Sequence, residues 1–370
     1  MKLSFRPSEQ CQWRPRKTEA QTHCITSTSG VSTHVDLSTV RSPSEPCAVS
    51  TWTQDLALRQ EFCAAANAHP CGQYPAMYLG LPFPRKPTDE SFMPNTLSFH
   101  QVDVFASKPL EGNALAVVCD ADDLTTEQMA AFARWTNLSE TTFLMRPTHP
   151  DADYRVRIFT PMRELPFAGH PTLGSCYVWL GDNGFSHSKE VVQECGAGLV
   201  NIRRDGTRLA FAAPPLLRGG AVEDDVLHRI IDGLGVAPDR IIVSQWADNG
   251  PGWVVVMLRS REELLAIHPD YAALNGLNVG AFAPWIERDA GADIEVRAFI
   301  SDRSAEDPVT GSLNASLAQW LIPAGLMQKR YTVSQGTALG RHGRIQVEQI
   351  GERIWVGGEV QKCITGQVSF

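Results

Sequence analysis

A chain that carries one pattern twice is constrained to fold that pattern twice. HPTLGSC (170–176) returns as DPVTGSL (307–313): a polar residue, a proline, two residues, then Gly-Ser. The likeness runs well beyond the heptapeptides. YRVRIFTPMRELPFAGHPTLGSCYVWL (154–180) parallels IEVRAFISDRSAEDPVTGSLNASLAQWL (294–321) through V-R-x-F, an arginine at a matching offset, the heptapeptide and an apolar helix. Downstream, ECGAGLVNIRRDGTRLAF (194–211) and SQGTALGRHGRIQVEQIGERIWV (334–356) are each Gly-rich and then read as hairpins, turning at Asp205-Gly206 and Ile350-Gly351. The offset between copies stays near about 140 residues, too long for a solenoid. The pattern predicts two homologous α+β domains, each with a strand, a loop, a central helix and a hairpin.

LGSCYVWL and LNASLAQWL carry no charge, so each helix is expected to be buried with strands wrapped round it. Pro171 and Pro308 each follow a plausible N-cap position, where a missing N–H costs nothing. Asp307 is a good capping type and His170 a poor one. The expected first turns leave backbone N–H groups of Gly174, Ser175, Gly311 and Ser312 without acceptors. A pseudo-twofold that set the two helix mouths face to face would offer two positive dipole ends to an anion.

A length of 370 residues, 43% of them hydrophobic, exceeds what one core usually serves. Residues 1–96 are rich in Ser, Thr, Pro and Cys, with one candidate helix at 52–68. They are expected to form an N-terminal extension outside the core, so that a chain beginning at Met93 keeps the fold. The two domains are expected at 97–212 and 213–370, the final strands packing back on the first. FHQVDVF (99–105) and NALAVVCD (113–120) alternate as strands around the turn KPLEGN, and ETTFLMR (140–146) reads as another strand. TTEQMAAFARWT (125–136) opens with Thr125 and Gln128 at capping-box spacing.

Composition excludes several functions. The net charge is -8 and no Lys/Arg-rich run occurs, which speaks against nucleic acid and acidic membrane surfaces as partners. No apolar run approaches the roughly 18 residues of a membrane span, and the N-terminus lacks the apolar core of a secretory signal. The 9 cysteines show neither C-x-x-C nor zinc-site spacing, which suits free thiols in a reducing, cytoplasmic setting. No G-x-S-x-G, dinucleotide or Walker sequence is present.

NLSETTF (137–143), FTPMRELPFAGHPTLGS (159–175), EDPVTGS (306–312) and VGGEV (356–360), in this order, resemble the PhzF family, named for the phenazine biosynthesis isomerase. The likeness spans about residues 97–370. It departs at ISDRSAEDP (300–308), where the family has a Pro/Gly-containing turn, and residues 1–96 have no counterpart. The resemblance implies a diaminopimelate epimerase-like α+β fold: two pseudo-symmetric domains, each a curled, mostly antiparallel sheet around a central helix. It further implies a site between the halves, a homodimer, and neither cofactor nor metal.

By the same resemblance Glu140 is the proton shuttle, and His170 and Asp307 are its catalytic partners at the helix mouths. Ser139, Gly169, Gly311 and Ser312 would hold a substrate carboxylate. Physically, a glutamate at the start of an apolar strand in a closed cleft has its pKa raised toward neutrality, which suits both removal and return of a proton. His170 beside a helix N-terminus should favour its neutral form. Taken alone, each residue also has a plainer reading: Glu140 as a solvated strand end, His170 as a satisfied cap histidine, Asp307 as an N-cap. The epimerase and racemase relatives place a thiol at each mouth. Here His170 and Asp307 stand there, while Cys176 and Cys195 lack mirror partners and are expected in the core. The expected function is a cofactor-independent isomerase moving a proton on a small carboxylate-bearing molecule. The alternatives are an epimerase or racemase of a small amino or hydroxy acid, and a catalytically silent small-ligand-binding protein.

Overall fold

The structure, a computed structural model, describes residues 95–182, 189–286 and 291–370. These belong to one compact unit, Pro87–Phe370. The expectations for residues 1–94, including a helix at 52–68, lie outside the described residues.

The repeat is realised strand for strand. The first half runs β1 (Thr96–Val104), β2 (Asn113–Val118), α1 (Thr126–Thr136), β3 (Glu140–Met145), β4 (Tyr154–Phe159), β5 (Glu164–Leu165), α2 (Gly169–Asp182), β6 (Glu190–Cys195), β7 (Gly198–Asp205) and β8 (Arg208–Ala212). The second runs β9 (Arg218–Gly220), α3 (Asp224–Leu234), β10 (Ile241–Asp248), β11 (Trp253–Leu258), α4 (Arg261–Leu265), α5 (Tyr271–Leu274), β12 (Asn278–Pro284), β13 (Ile294–Ile300), β14 (Ala305–Asp307), α6 (Gly311–Leu321), β15 (Arg330–Gln335), β16 (Gly343–Ile350) and β17 (Arg353–Ser369). Antiparallel β1–β2, parallel β2–β3, antiparallel β3–β4, parallel β4–β6 and antiparallel β6–β7 are matched by β10–β11, β11–β12, β12–β13, β13–β15 and β15–β16.

β17 joins the halves. Its first part pairs with β16 and, through Trp355–Glu359, with β8; its second part crosses back, with Val360–Ser369 pairing with β1. The strands β17–β1–β2–β3–β4–β6–β7–β8 thus close on β17 again, around α2. Hairpin register is set by glycine. Asp205 pairs with Arg208 and Ile350 with Arg353, so Gly206 and Gly351 begin the two-residue turns, one position later than the sequence pattern implied. Their φ values of 62° and 59° are what the first position of a II′ turn demands.

One apolar cluster runs through both halves, from Val102, Leu115 and Leu173 to Leu313, Val333 and Val347. The outer faces are covered too: α1 lays Met129, Phe132 and Ala133 on Val118, Phe143 and Phe159, while α3 and α4 lay Ile230, Leu234 and Leu264 on β10, β11 and β12. Strands covered on both faces need continuous apolar runs, which corrects the expected alternation of NALAVV and accounts equally for WVVVML. Cys176 and Cys195 lie in the shared core, as expected of structural thiols. Among the described residues no helix is long and apolar enough to cross a membrane.

Candidate active site

Besides the mouths of α2 and α6, three chain segments deliver the polar groups that meet between the halves. The first is the entry to β3. The capping box at Thr125 and Gln128 starts α1 as expected. Asn137 ends it in the left-handed conformation (φ 53°), its N–H bonded to Ala133 O, and turns the chain so that β3 begins at Glu140. The second segment is the entry to β2. The loop before it is tied by Gly112 N–H to Asp103 Oδ2 at 2.8 Å and by Arg341 Nη1 to Leu110 O at 2.9 Å. A Cβ at Gly112 would stand 2.2 Å from Val104 O, so only glycine fits before Asn113. The third is β14. Arg297 grips it through a bidentate pair with Glu306 (Nε–Oε1 3.0 Å, Nη2–Oε2 2.6 Å), both side chains 5% exposed, and Arg297 also donates to Ile267 O. Asp307 follows directly.

The two helix mouths do meet, though not at the positions that the repeat equates. α2 starts at Gly169, so His170 and Pro171 lie within its first turn; α6 starts at Gly311, with Thr310 as N-cap and Pro308 outside the helix. Asp307 is therefore the last residue of β14 rather than a cap, a correction to the expectation from its residue type. Gly174 and Ser175 are likewise corrected. They lie in the second turn of α2, where the helix consumes their N–H groups, and Ser175 Oγ donates to Thr142 Oγ1 in the core at 2.9 Å. The first intrahelical donors are Thr172, to Ala168 O, and Asn314, to Thr310 O. The N–H groups without intrahelical acceptors are thus those of Gly169 and His170 in one helix and of Gly311, Ser312 and Leu313 in the other. Gly169 and Gly311 are in direct apposition: a Cβ on Gly311 would lie 3.1 Å from Gly169 Cα.

Of the side chains singled out from sequence, Glu140, His170, Asp307 and Ser139 come together. His170 Nε2 lies 3.3 Å from Glu140 Oε2, and neither atom has a hydrogen-bond partner among the described residues. What sets these two apart from other unpartnered buried atoms of the described residues is that they face each other, so that one bound molecule can partner both. The Asp307 carboxylate accepts from Thr310 Oγ1 at 2.6 Å, Asn113 Nδ2 at 3.0 Å and Ser139 Oγ at 3.3 Å. Ser312 stands apart from this network: its Oγ accepts from Trp253 Nε1 at 3.1 Å and its carbonyl from Asn249 Nδ2 at 3.0 Å.

Electrostatics follow from burial. Loss of solvation, and then the negative Asp307, push Glu140 up to about 8 against an opposing pull from Arg303. Burial also raises Asp307, against the hydrogen bonds from Thr310 and Asn113. His170 is pushed down to about 3, by burial first and the Arg303 cation second. The neutral imidazole is as expected, with burial and the Arg303 cation as causes beside the helix N-terminus. At neutral pH Glu140 is thus largely protonated beside an uncharged His170. Glu140 in this setting can give a proton to a bound molecule and take one back, existing as a buried carboxylate only between the two transfers.

Several members of the site were not singled out from sequence. Asn113 looked like turn chemistry in KPLEGN. Arg303 was visible only as an arginine shared by both repeats, yet its counterpart Arg163 is exposed. Thr310, Asn314 and Gln335 form a buried relay behind Asp307: Gln335 Oε1 accepts from Thr310 N–H (3.0 Å) and Asn314 Nδ2 (2.8 Å), and Gln335 Nε2 donates to Asp307 O (3.2 Å). Polar residues at the N-terminus of an otherwise apolar buried helix were the available signal. Among the described residues no group of three or more His, Cys, Asp or Glu side chains is placed to hold a metal ion.

Fold and site together define an α+β protein of two repeated halves with a buried glutamate–histidine pair at their junction. The chain belongs to the phenazine biosynthesis-like PhzC-PhzF family, whose model matches residues 102–366. It is 37% identical over 268 residues to the trans-2,3-dihydro-3-hydroxyanthranilate isomerase of Pseudomonas aeruginosa, covering 68% of this chain and 91% of that one. It is 34% identical over 298 residues to antisense-enhancing sequence 1 of Schizosaccharomyces pombe (73% and 98% covered). Among solved structures, a predicted epimerase from Pseudomonas aeruginosa superposes with a TM-score of 0.62 at 25% identity, over 74% of this chain and 99% of that one. With these relatives, the chain is an isomerase.

Proposed function

We propose that this isomerase relocates a proton on a small carboxylate-bearing substrate without a cofactor, Glu140 both removing and returning it. The observation that carries the reading is the facing pair of unpartnered atoms, Glu140 Oε2 and His170 Nε2, at 3.3 Å. A carboxyl with its pKa near 8 gives up or takes a proton near neutral pH at little cost either way. Asp307, with three hydrogen bonds to one carboxylate, orients the substrate's amine or hydroxyl, aided by Ser139. The N–H groups of Gly169, Gly311 and Ser312 receive the substrate carboxylate, where both helix dipoles favour negative charge. The named relatives suggest a cyclic amino or hydroxy acid related to trans-2,3-dihydro-3-hydroxyanthranilate. A two-thiol racemisation is disfavoured, because His170 and Asp307 stand at the helix mouths while Cys176 and Cys195 lie in the core, where burial pushes Cys176 up to about 12.

In the same reading the protein is a cytoplasmic homodimer. The cysteines Cys176, Cys195 and Cys363, which form no disulfide, suit a reducing compartment, and light scattering on the purified protein tests the dimer. The domains divide between β8 and β9, as 97–212 and 213–370. The reaction is tested in deuterated water: the isomerase incorporates solvent deuterium into its substrate, and Glu140→Gln lowers turnover by about 100-fold or more while ligand binding persists. Exchange at the wild-type rate in Glu140→Gln would remove Glu140 from the chemistry.

A further inference from the structure

We propose that Asn113 is a positioning residue that holds His170 in its Nε2–H tautomer, and thereby determines which imidazole atom faces Glu140. The consequence for turnover rests on the proton shuttle proposed above; the tautomer itself does not. Asn113 Nδ2 lies 3.0 Å from Asp307 Oδ1 and 3.0 Å from Val309 O. Both are acceptors, so the NH2 end of the amide faces them and both of its hydrogens are committed. His170 Nδ1 lies 3.4 Å from the same nitrogen. A proton on Nδ1 would point at that NH2 group, donor against donor, in a site where His170 is 4% exposed. Nδ1 therefore carries the lone pair. The one proton of the neutral ring then resides on Nε2, which faces Glu140 Oε2 at 3.3 Å.

This arrangement has a chemical consequence. An Nε2–H group turns a donor toward the Glu140 Oε2 side, 3.3 Å away and not yet hydrogen-bonded, which favours Oε1 as the carrier of the mobile proton. The donor on Nδ1's side also opposes protonation of the ring, since imidazolium would need a hydrogen on Nδ1. Asn113 thus couples the two halves: one amide touches Asp307 and Val309 of the second half and His170 of the first.

The test is a two-bond proton–nitrogen correlation spectrum of protein labelled with 15N-histidine, the His170 ring assigned by its loss in His170→Gln. The expected pattern has a protonated Nε2 and a bare Nδ1 at neutral pH. Asn113→Asp places an acceptor at Nδ1, so His170 should gain a proton there and titrate at a higher pH than in the wild type. Asn113→Ala should lower kcat by about 10-fold or more while KM stays within about threefold. A wild-type spectrum with the proton on Nδ1 overturns the proposal and needs no variant to fold. Ring nitrogen shifts unchanged in Asn113→Asp overturn it as well. Because the spectrum requires no substrate, failure of the tautomer and failure of the proton shuttle are read separately.

Discussion

At the scale of single residues, the site is a set of groups whose charges burial suppresses. Stability should record this. Glu140 moves from 4.5 unfolded to about 8 folded, so the native state binds the extra proton between those values. Its contribution is fully present below pH 4.5 and is lost as the pH rises through 8. His170 moves the other way, from 6.5 to about 3; its neutral form is favoured in the fold, so its contribution is present above pH 6.5 and is lost as the pH falls toward 3. Urea unfolding midpoints should therefore be highest in mildly acidic solution and fall on both sides. Glu140→Gln should flatten the alkaline limb and His170→Gln the acid limb. An unchanged alkaline limb in Glu140→Gln would show that its carboxyl titrates normally.

At the scale of elements, three-residue β14 is too short to hold Asp307 by backbone pairing alone. The Arg297–Glu306 clamp supplies the anchor, and the repeat explains why it exists: Arg157 on β4 grips Glu164 on β5 in the same way, at 2.7 Å for both bonds. The copies differ in burial. The Arg157 side chain is 24% exposed, the Arg297 side chain 5%. Glu306→Ala leaves Arg297 charged and unpaired in the interior and should cost about 3–5 kcal/mol, whereas Glu164→Ala at the exposed copy should cost about 1 kcal/mol or less. Chemical denaturation of the two variants measures the difference, and equal costs would refute the asymmetry.

For the whole molecule, the decisive element is β17. Without its second part, β1 would lose a neighbour along its whole length and the ring around α2 would open. Removal of residues 361–370 should therefore abolish cooperative unfolding of the first half, not merely fray a terminus, because a freed edge exposes unpaired backbone and the core behind it. Hydrogen exchange at β1 and β2 checks this: protection comparable to that in the full chain would show that the ring closes by other means.

The amino-acid sequence alone determined what depends on neighbours a few residues apart. The capping box of α1, the apolar helices α2 and α6, the glycines of the two hairpins and the fact of duplication were all legible, because each rests on local periodicity or a local turn. Glu140, His170 and Asp307 were legible through the motifs that resemble the family. Only the tertiary structure decided that Asn113 touches residues 57 and 194 positions away, that Gly169 meets Gly311 and not its own repeat mate, and that Asp307 ends a strand instead of capping a helix. Duplicated sequences share local propensities, but the halves pack against each other, and each surface meets a partner unlike itself. Contact across that junction, and the desolvation it brings, sets the charge states on which the proposed chemistry depends.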